Sequence, residues 1–399
     1  MASTARQLNQ TESAHPSSIV VAKPVNETPI DNTLRRIAEQ SGKSYYEVIR
    51  EIVALGFGPG RVSFRDYVKL RLFDDRHYAG CDKKTVVGQR RNRDISVAVN
   101  YRIDWYAMLE NKIASICYLS AYGLPTIPFE LTYGENLAIK APRIARKKEE
   151  LREFLTDARN FPLFGKPVEA FQSLGSIALH GYDSRSGTLQ RTDGSVISLD
   201  DFLADVTTNY SRGYLFQKLV SPHSVMRALC GDRLATVRIV TIATKGGVKV
   251  FRAALKIPAG QNSADNFWRN GNLLAQLDIA SGRITRVITG TGLDLKPVTH
   301  HPDTGKELVG VAVPNWDRMI ATALAGAKVM QHFSMIGWDV AAVESGAVIV
   351  EMNETPDLSL HQLVEGRGVL EPEFLAFMDY QERQAKAHER RMRADISKL

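Results

Sequence analysis

The sequence predicts an α+β protein of two or three lobes rather than one doubly wound sheet. Its 399 residues exceed what a single core usually organises. Helical and extended stretches alternate irregularly, and several strands are joined by short glycine turns that make antiparallel hairpins.

Taken in order, Met1–Thr28 is polar, with no apolar block beyond Ile19–Ala22, and reads as a disordered tail without a secretory core. Leu34–Leu55 carries Leu34, Ile37, Ala38, Val48, Ile49, Ile52 and Val53 at helical spacing, broken at Gly42. Such a pair is the outline of a helix-turn-helix, but plain packing is the commoner use. Gly56–Gly60 forms a turn, and Ser63 with Asp66 makes a capping box that opens a helix over Arg65–Phe73. One helix is expected over Trp105–Tyr122, ending at Gly123 before Pro125 and Pro128. A helix over Lys147–Arg159 precedes a strand, Pro162–Val168. Strands follow at Gly213–Val220, Leu234–Thr244 and Val248–Ile257, the last two joined by Lys245–Gly247. Trp316–Phe333 is an amphipathic helix with Pro314 near its first turn, and strands Ile336–Val343 and Ala347–Asn353 close the informative region.

Composition excludes several classes. Hydrophobic residues make up 44% and charged residues 24%, and no apolar run reaches bilayer length, so no membrane partner is expected. Cys81, Cys117 and Cys230 are scattered, which fits a reducing cytoplasm and excludes a disulfide framework or a CxxC metal site. His223, His300 and His301 have no cysteine at zinc spacing. The net charge of +7 comes partly from Lys83–Lys84, Arg90–Arg93, Arg143–Lys148 and Arg390–Arg393. These runs lack interleaved aromatics, so they read as solvated faces and nucleic acid is disfavoured as a partner.

The chemistry concentrates in Gly337–Pro356. Glu344-Ser345-Gly346 fits a three-residue hairpin loop, which pairs Val343 with Ala347 and sets Asp339 opposite Glu351. Alternation puts Glu351 and Asn353 on one face, so three hard oxygen donors converge as Mg²⁺ prefers. The competing reading is an exposed hairpin with acids on its solvent side. Lys166 lies in an apolar strand before Pro167, where an unpartnered ammonium is costly. Arg238 shares a strand face with Thr236 and Val240 and reads as an interior arginine. Lys256 ends an apolar strand, and Lys112 alone reads as a solvated helix lysine.

An acid preceding Glu351-Met352-Asn353, with Pro356 soon after, resembles the metal-binding strand pair of the ATP-grasp superfamily. Other segments fall in that superfamily's order. Asn111-Lys112-Ile113, followed by Gly123–Pro128, resembles the first nucleotide lysine and the entry to the ATP-grasp lobe. Leu163-Phe-Gly-Lys-Pro167 resembles the strand whose lysine touches ATP phosphates. Gln172–Ser176, with Ser173, Gly175 and Ser176, stands where a flexible phosphate loop closes. Phe216–Val220 resembles the adenine hinge, with Gln217, Lys218 and Leu219, and His223 lies where a ribose contact is expected. Thr236-Val-Arg238 and Leu255-Lys256 supply cations, and Asp265–Asn272, which includes Arg269, resembles a substrate-side loop. The likeness spans roughly Lys112–Pro356 and is nearest to sugar-transfer-associated ATP-grasp proteins, related to α-L-glutamate ligases. It departs at Gly337, where many carboxylate ligases carry an arginine that Arg238 or Arg269 would replace. The loop Glu169–Ser176 also holds a single glycine, Gly175.

The resemblance implies an ATP-grasp fold: a tail (1–30), an N-terminal helical region (31–128), a first subdomain (129–215), and a second subdomain with a C-terminal helix (216–399). It implies ATP and Mg²⁺ as cofactors, with Asp339, Glu351 and Asn353 on the metal and Lys112, Lys166 and Lys256 on phosphates. Arg238, with Arg269, would steady the transferring group. The implied reaction is an ADP-forming ligation of a small-molecule carboxylate to an amine or hydroxyl through an acyl phosphate, in cell-surface polysaccharide or peptide-type metabolite biosynthesis. A kinase acting on a hydroxyl or sugar keeps the same ATP site, and a degenerate lobe would bind nucleotide without turnover. A nucleic-acid-binding or regulatory protein is the alternative of another class.

Overall fold

The computed structural model describes residues 30–134, 143–168, 175–210, 212–260, 262 and 264–396. Its helices are α1 (Ile30–Ser41), α2 (Tyr45–Gly56), α3 (Phe64–Lys69), α4 (Gln89–Val99), α5 (Tyr106–Glu110), α6 (Lys112–Ala121), α7 (Lys148–Thr156), α8 (Leu199–Asn209), α9 (Ser224–Cys230), α10 (Trp316–Val329), α11 (Leu358–Glu365) and α12 (Pro372–Ile396). Its strands are β1 (Phe129–Tyr133), β2 (Ile144–Ala145), β3 (Leu163–Pro167), β4 (Ile177–Asp183), β5 (Thr188–Arg191), β6 (Val196–Ser198), β7 (Tyr214–Lys218), β8 (Thr236–Thr244), β9 (Gly247–Ile257), β10 (Leu273–Leu277), β11 (Ile284–Thr289), β12 (Lys296–Val298), β13 (Met335–Val343) and β14 (Gly346–Asn353). Two compact units divide the chain. The first holds Asn111–Ile113 and Ile127–Val220; the second holds the preceding helices, Ala114–Thr126 and everything from Ser221.

In the first unit a sheet ordered β2-β1-β7-β3-β4-β5-β6 is antiparallel except for β1–β2. Its core joins Leu151 and Phe154 of α7, Phe202 and Leu203 of α8, and the strand residues Leu163, Ile177, Tyr214 and Phe216.

In the second unit the order is β12-β11-β10-β9-β8-β13-β14, antiparallel throughout. Alternation splits its strands between two faces. Val237, Ile239, Leu255, Trp338, Val340 and Met352 pack with Met319, Ala323 and Ala327 of α10. The opposite face is apolar at both ends. Ala254, Leu274 and Ile288 lie under α1, α2 and α11 through Ile37, Val48, Leu360 and Leu363. Val240, Ile242 and Met335 lie under α4 and α12 through Ile95, Val99, Phe374 and Phe377. Between these ends the same face is polar.

Local signals explain the helix ends. Gly42 takes a positive φ of 70° between α1 and α2, and Ser44 and Glu47 form a capping box on α2. Ser63 and Asp66 form the expected box on α3, which stops at Lys69 rather than Phe73 as Arg71 turns to a φ of 55°. The single helix expected over Trp105–Tyr122 is two, because the Asn111 side chain accepts the Ile113 N–H (3.1 Å) and restarts the chain as α6. No helix among the described residues is long and apolar enough to cross a membrane.

Candidate active site

The polar middle of the second sheet is built from two neighbouring rows of residues in register. Asp339 on β13 stands between Arg238 on β8 and Glu351 on β14. Thr236 on β8 faces Lys256 on β9. The hairpin β13–β14 reaches this register by another route than the three-residue loop. Val343 pairs with Gly346, so Glu344 and Ser345 alone form the turn, with Gly346 at a φ of 136°. A shift between Asp339 and Val340 then leaves Val350 as an extra residue. The tighter turn and the bulge offset one another, and Asp339 still meets Glu351.

Arg238 donates to both oxygens of Asp339, Nε to Oδ1 at 2.6 Å and Nη2 to Oδ2 at 3.0 Å. Lys256 Nζ reaches Oδ2 at 2.9 Å and Asp265 Oδ1 at 3.5 Å. Asp265 accepts the Thr236 N–H at 2.9 Å and its hydroxyl as well. Arg238, Lys256 and Asp339 are each less than 10% exposed, so this is an interior network. Burial pushes the Asp339 carboxyl upward, but Arg238 and Lys256 overcome it and hold the group far below the usual carboxylate range. Asp265 goes the other way: burial, with Asp339 nearby, raises it despite Lys256.

Gly337 is explained by the same geometry. A Cβ there would come within 2.9 Å of Pro356 Cβ and 3.2 Å of Arg238 Cδ. The stem of Arg238 thus runs beside Gly337.

The chain leaving Asn353 is tied down from the N-terminal helices. Asn100 donates to Met335 O and Glu354 O, both at 2.8 Å, and accepts from Ser334 N and Met335 N. Asn92 donates to Pro356 O at 2.9 Å. Asp357 caps α11 through Ser359 N (3.1 Å) and accepts the Trp268 indole N–H at 2.7 Å. His361, wholly buried on α11, has neither ring nitrogen hydrogen-bonded. Burial, then Arg252 and Arg238, push its pKa well down. Asn92, Asn100 and His361 have no local sequence signal, since their neighbours are distant in the chain; Asp357 has one, an acid at the N-cap of α11.

The first unit carries the remaining expected residues. Lys166 is buried on β3, opposite Leu215 of β7. Gln217 is buried and donates to Ile127 O at 2.6 Å, while Lys218 donates to Asn160 O (2.8 Å) and Arg159 O (3.2 Å). The N–H of Leu219 bonds Pro162 O, and that of Lys112 bonds Val168 O. Gly175 takes a φ of 73° and accepts the Tyr214 hydroxyl at 2.6 Å, beside buried Ser176. Ser173 and most of Glu169–Ser176 lie outside the described residues. His223, in the second unit, caps α9 through Nδ1 and approaches Glu344 through Nε2 at 3.6 Å. Arg269 is half-buried in the Asp265–Asn272 loop, on the residue after Trp268.

Among the described residues no three His, Cys, Asp or Glu side chains group as a metal site. Two carboxylates and an amide remain, and their chemistry fits a hard cation. Asn353 keeps a buried amide atom without a hydrogen-bond partner, and amide nitrogen and oxygen are interchangeable in assignment, so its oxygen can face that position. Glu351 and Asn353 fit as donors. Asp339 fits as their neighbour with its charge already balanced by Arg238 and Lys256.

A two-lobed α+β chain with a Glu-x-Asn hairpin beside buried basic strands is of the ATP-grasp class. The family profile described as sugar-transfer associated ATP-grasp matches residues 132–374, and the chain belongs to that family. Its class uses ATP and Mg²⁺. Among solved structures it is similar to N5-carboxyaminoimidazole ribonucleotide synthetase in complex with ADP (14% identity, 63% of this chain and 46% of that one, TM-score 0.36). It is also similar to the D-alanine-D-alanine ligase from Coxiella burnetii (13%, 73% and 62%, TM-score 0.42) and the L-amino acid ligase from Bacillus licheniformis (12%, 69% and 48%, TM-score 0.37). The chain thus spans less than two thirds of the length of each of these proteins. No curated protein matches it.

Proposed function

We propose that the chain is an ADP-forming ligase that joins a carboxylate to an amine or hydroxyl. The observation that carries this reading is the row Glu351–Asp339–Arg238 with Lys256, which places two fixed cations beside two hard oxygen donors on one sheet face. Bound Mg²⁺ would neutralise phosphate charge, held by Glu351 and Asn353 with Asp339 adjoining. Lys166 and Lys112 would contact phosphate oxygens, and Gln217–Leu219 the base. Arg238 is held in one orientation by Asp339, so its remaining N–H groups are preorganised towards a transferring group. In the reaction a carboxylate oxygen bonds to the γ-phosphorus as the bond to ADP breaks. The nucleophile then adds at the acyl carbon and phosphate leaves, its proton lost to solvent.

Calorimetric titration of ATP with and without Mg²⁺, into wild type and E351Q, tests the site. Mg²⁺-dependent binding that E351Q loses supports it; Mg²⁺-ATP binding unchanged in E351Q removes the metal assignment. Product analysis tests the chemistry: free phosphate with a condensed product supports the ligase, and a stable phosphorylated acceptor would replace it by a kinase.

A further inference from the structure

The ligase reading, on which this inference rests, requires a place for the acid substrate, and the N-terminal helices supply an unused cation. Lys69 is the last residue of α3, and its Nζ stands 3.4 Å from the centroid of the Trp268 ring. No carboxylate or carbonyl among the described residues accepts a hydrogen bond from it. The side chain is half-buried. Burial draws its pKa below the ordinary lysine value; Asp357 and Asp66 oppose that, and Arg65 adds to it. An ammonium has three N–H donors, and a ring face satisfies none of them as an acceptor would.

Its platform is hydrogen-bonded to the chain that follows the β13–β14 hairpin. The Trp268 indole N–H is held by Asp357, which caps α11 and follows Pro356 at the end of the Glu351–Asn353 segment. Half-buried Arg269 comes next in the chain after Trp268, a second cation on the same loop. We propose that Lys69, seated on Trp268, binds an anionic group of the acid substrate, a carboxylate or a phosphate. The indole plane limits the shape beside that group, so the N-terminal helices select which acid is accepted.

The test uses the full chain with succinate and inorganic phosphate as separate probes, titrated calorimetrically into wild type, K69M, K69R and E351Q. One anion binds wild type, its dissociation constant rises about tenfold or more in K69M, as loss of a charge-assisted hydrogen bond requires, and K69R recovers part. Succinate binding assigns a carboxylate, phosphate binding a phosphate. E351Q keeps anion affinity while losing Mg²⁺-ATP, so the two readings fail separately. Unchanged affinity in K69M, or no binding of either anion to wild type, overturns the assignment. Should K69M not fold, acetylation of Lys69 in wild type decides: protection by the bound probe supports the site, and an unchanged rate overturns it.

Discussion

Arg238 holds Asp339 by both oxygens, and Lys256 shares one of them, so a single buried carboxylate faces two cations. Removing the acid strands Arg238 and leaves Lys256 with Asp265. D339N is expected to cost about 3–5 kcal/mol at neutral pH, the usual cost of breaking a buried pair. The Asp339 pKa is depressed in the folded state, so its stabilisation is complete above the unfolded value, about 3.9, and is lost as pH falls below that. Urea unfolding at pH 7 and pH 3.5 checks both points: the gap between wild type and D339N narrows in acid.

An arginine placed at position 337 should not improve the enzyme. The space beside Gly337 is filled by Pro356 and the stem of Arg238. G337R is expected to lose about 2 kcal/mol through overpacking and to lower turnover by displacing Arg238 from Asp339. Thermal unfolding and phosphate release measure the two effects; a stable, faster G337R would refute the assignment of Arg238 to that role.

Asn100 joins α4 to the start of β13 and to the segment after Asn353 through four hydrogen bonds. N100A is expected to cost about 3 kcal/mol, since buried donors and acceptors are left unmet. N100D should do no better, because a carboxylate cannot donate to Met335 O and Glu354 O. Denaturant unfolding measures the cost, and weakened Mg²⁺-ATP binding in the folded fraction of N100A would show that Asn100 also positions the hairpin end.

His361 gives a different pH signature. Its pKa is lowered in the folded state, so the stability tied to its neutrality is full above the unfolded value, about 6.5, and is lost progressively as pH falls below it. H361L removes two unpartnered nitrogens and is expected to stay within about 1 kcal/mol of wild type at pH 8. Between pH 6.5 and 5 its stability should decline less than that of wild type; parallel curves would rule out His361 as the source.

Much of the second sheet was legible because its signals are local. Alternation and the Lys245–Gly247 turn define the β8–β9 hairpin, and Asp339 opposite Glu351 follows from counting back along a short loop. That count succeeded although the turn is shorter than expected, since a bulge at Val350 restores the register. The Arg238–Asp339 pair was not legible: it needs β8 beside β13, a long-range adjacency that no local pattern encodes. The N-terminal hundred residues were nearly silent for the same reason. Their capping boxes at Ser44 and Ser63 announce helices, but the residues that Asn92, Asn100 and Lys69 touch lie far along the chain.

The placement of α1, α2 and α4 on the second sheet bears on how this protein can be cut. The family match begins at residue 132, downstream of those helices, yet Ile37, Val48, Ile95 and Val99 share the cores that bury Ala254, Leu274, Ile288 and Met335 with α11 and α12. A fragment trimmed to the matched residues would therefore leave part of that apolar face to solvent. What sequence comparison delimits as the family is smaller than what folds together, and expression should start upstream of α1.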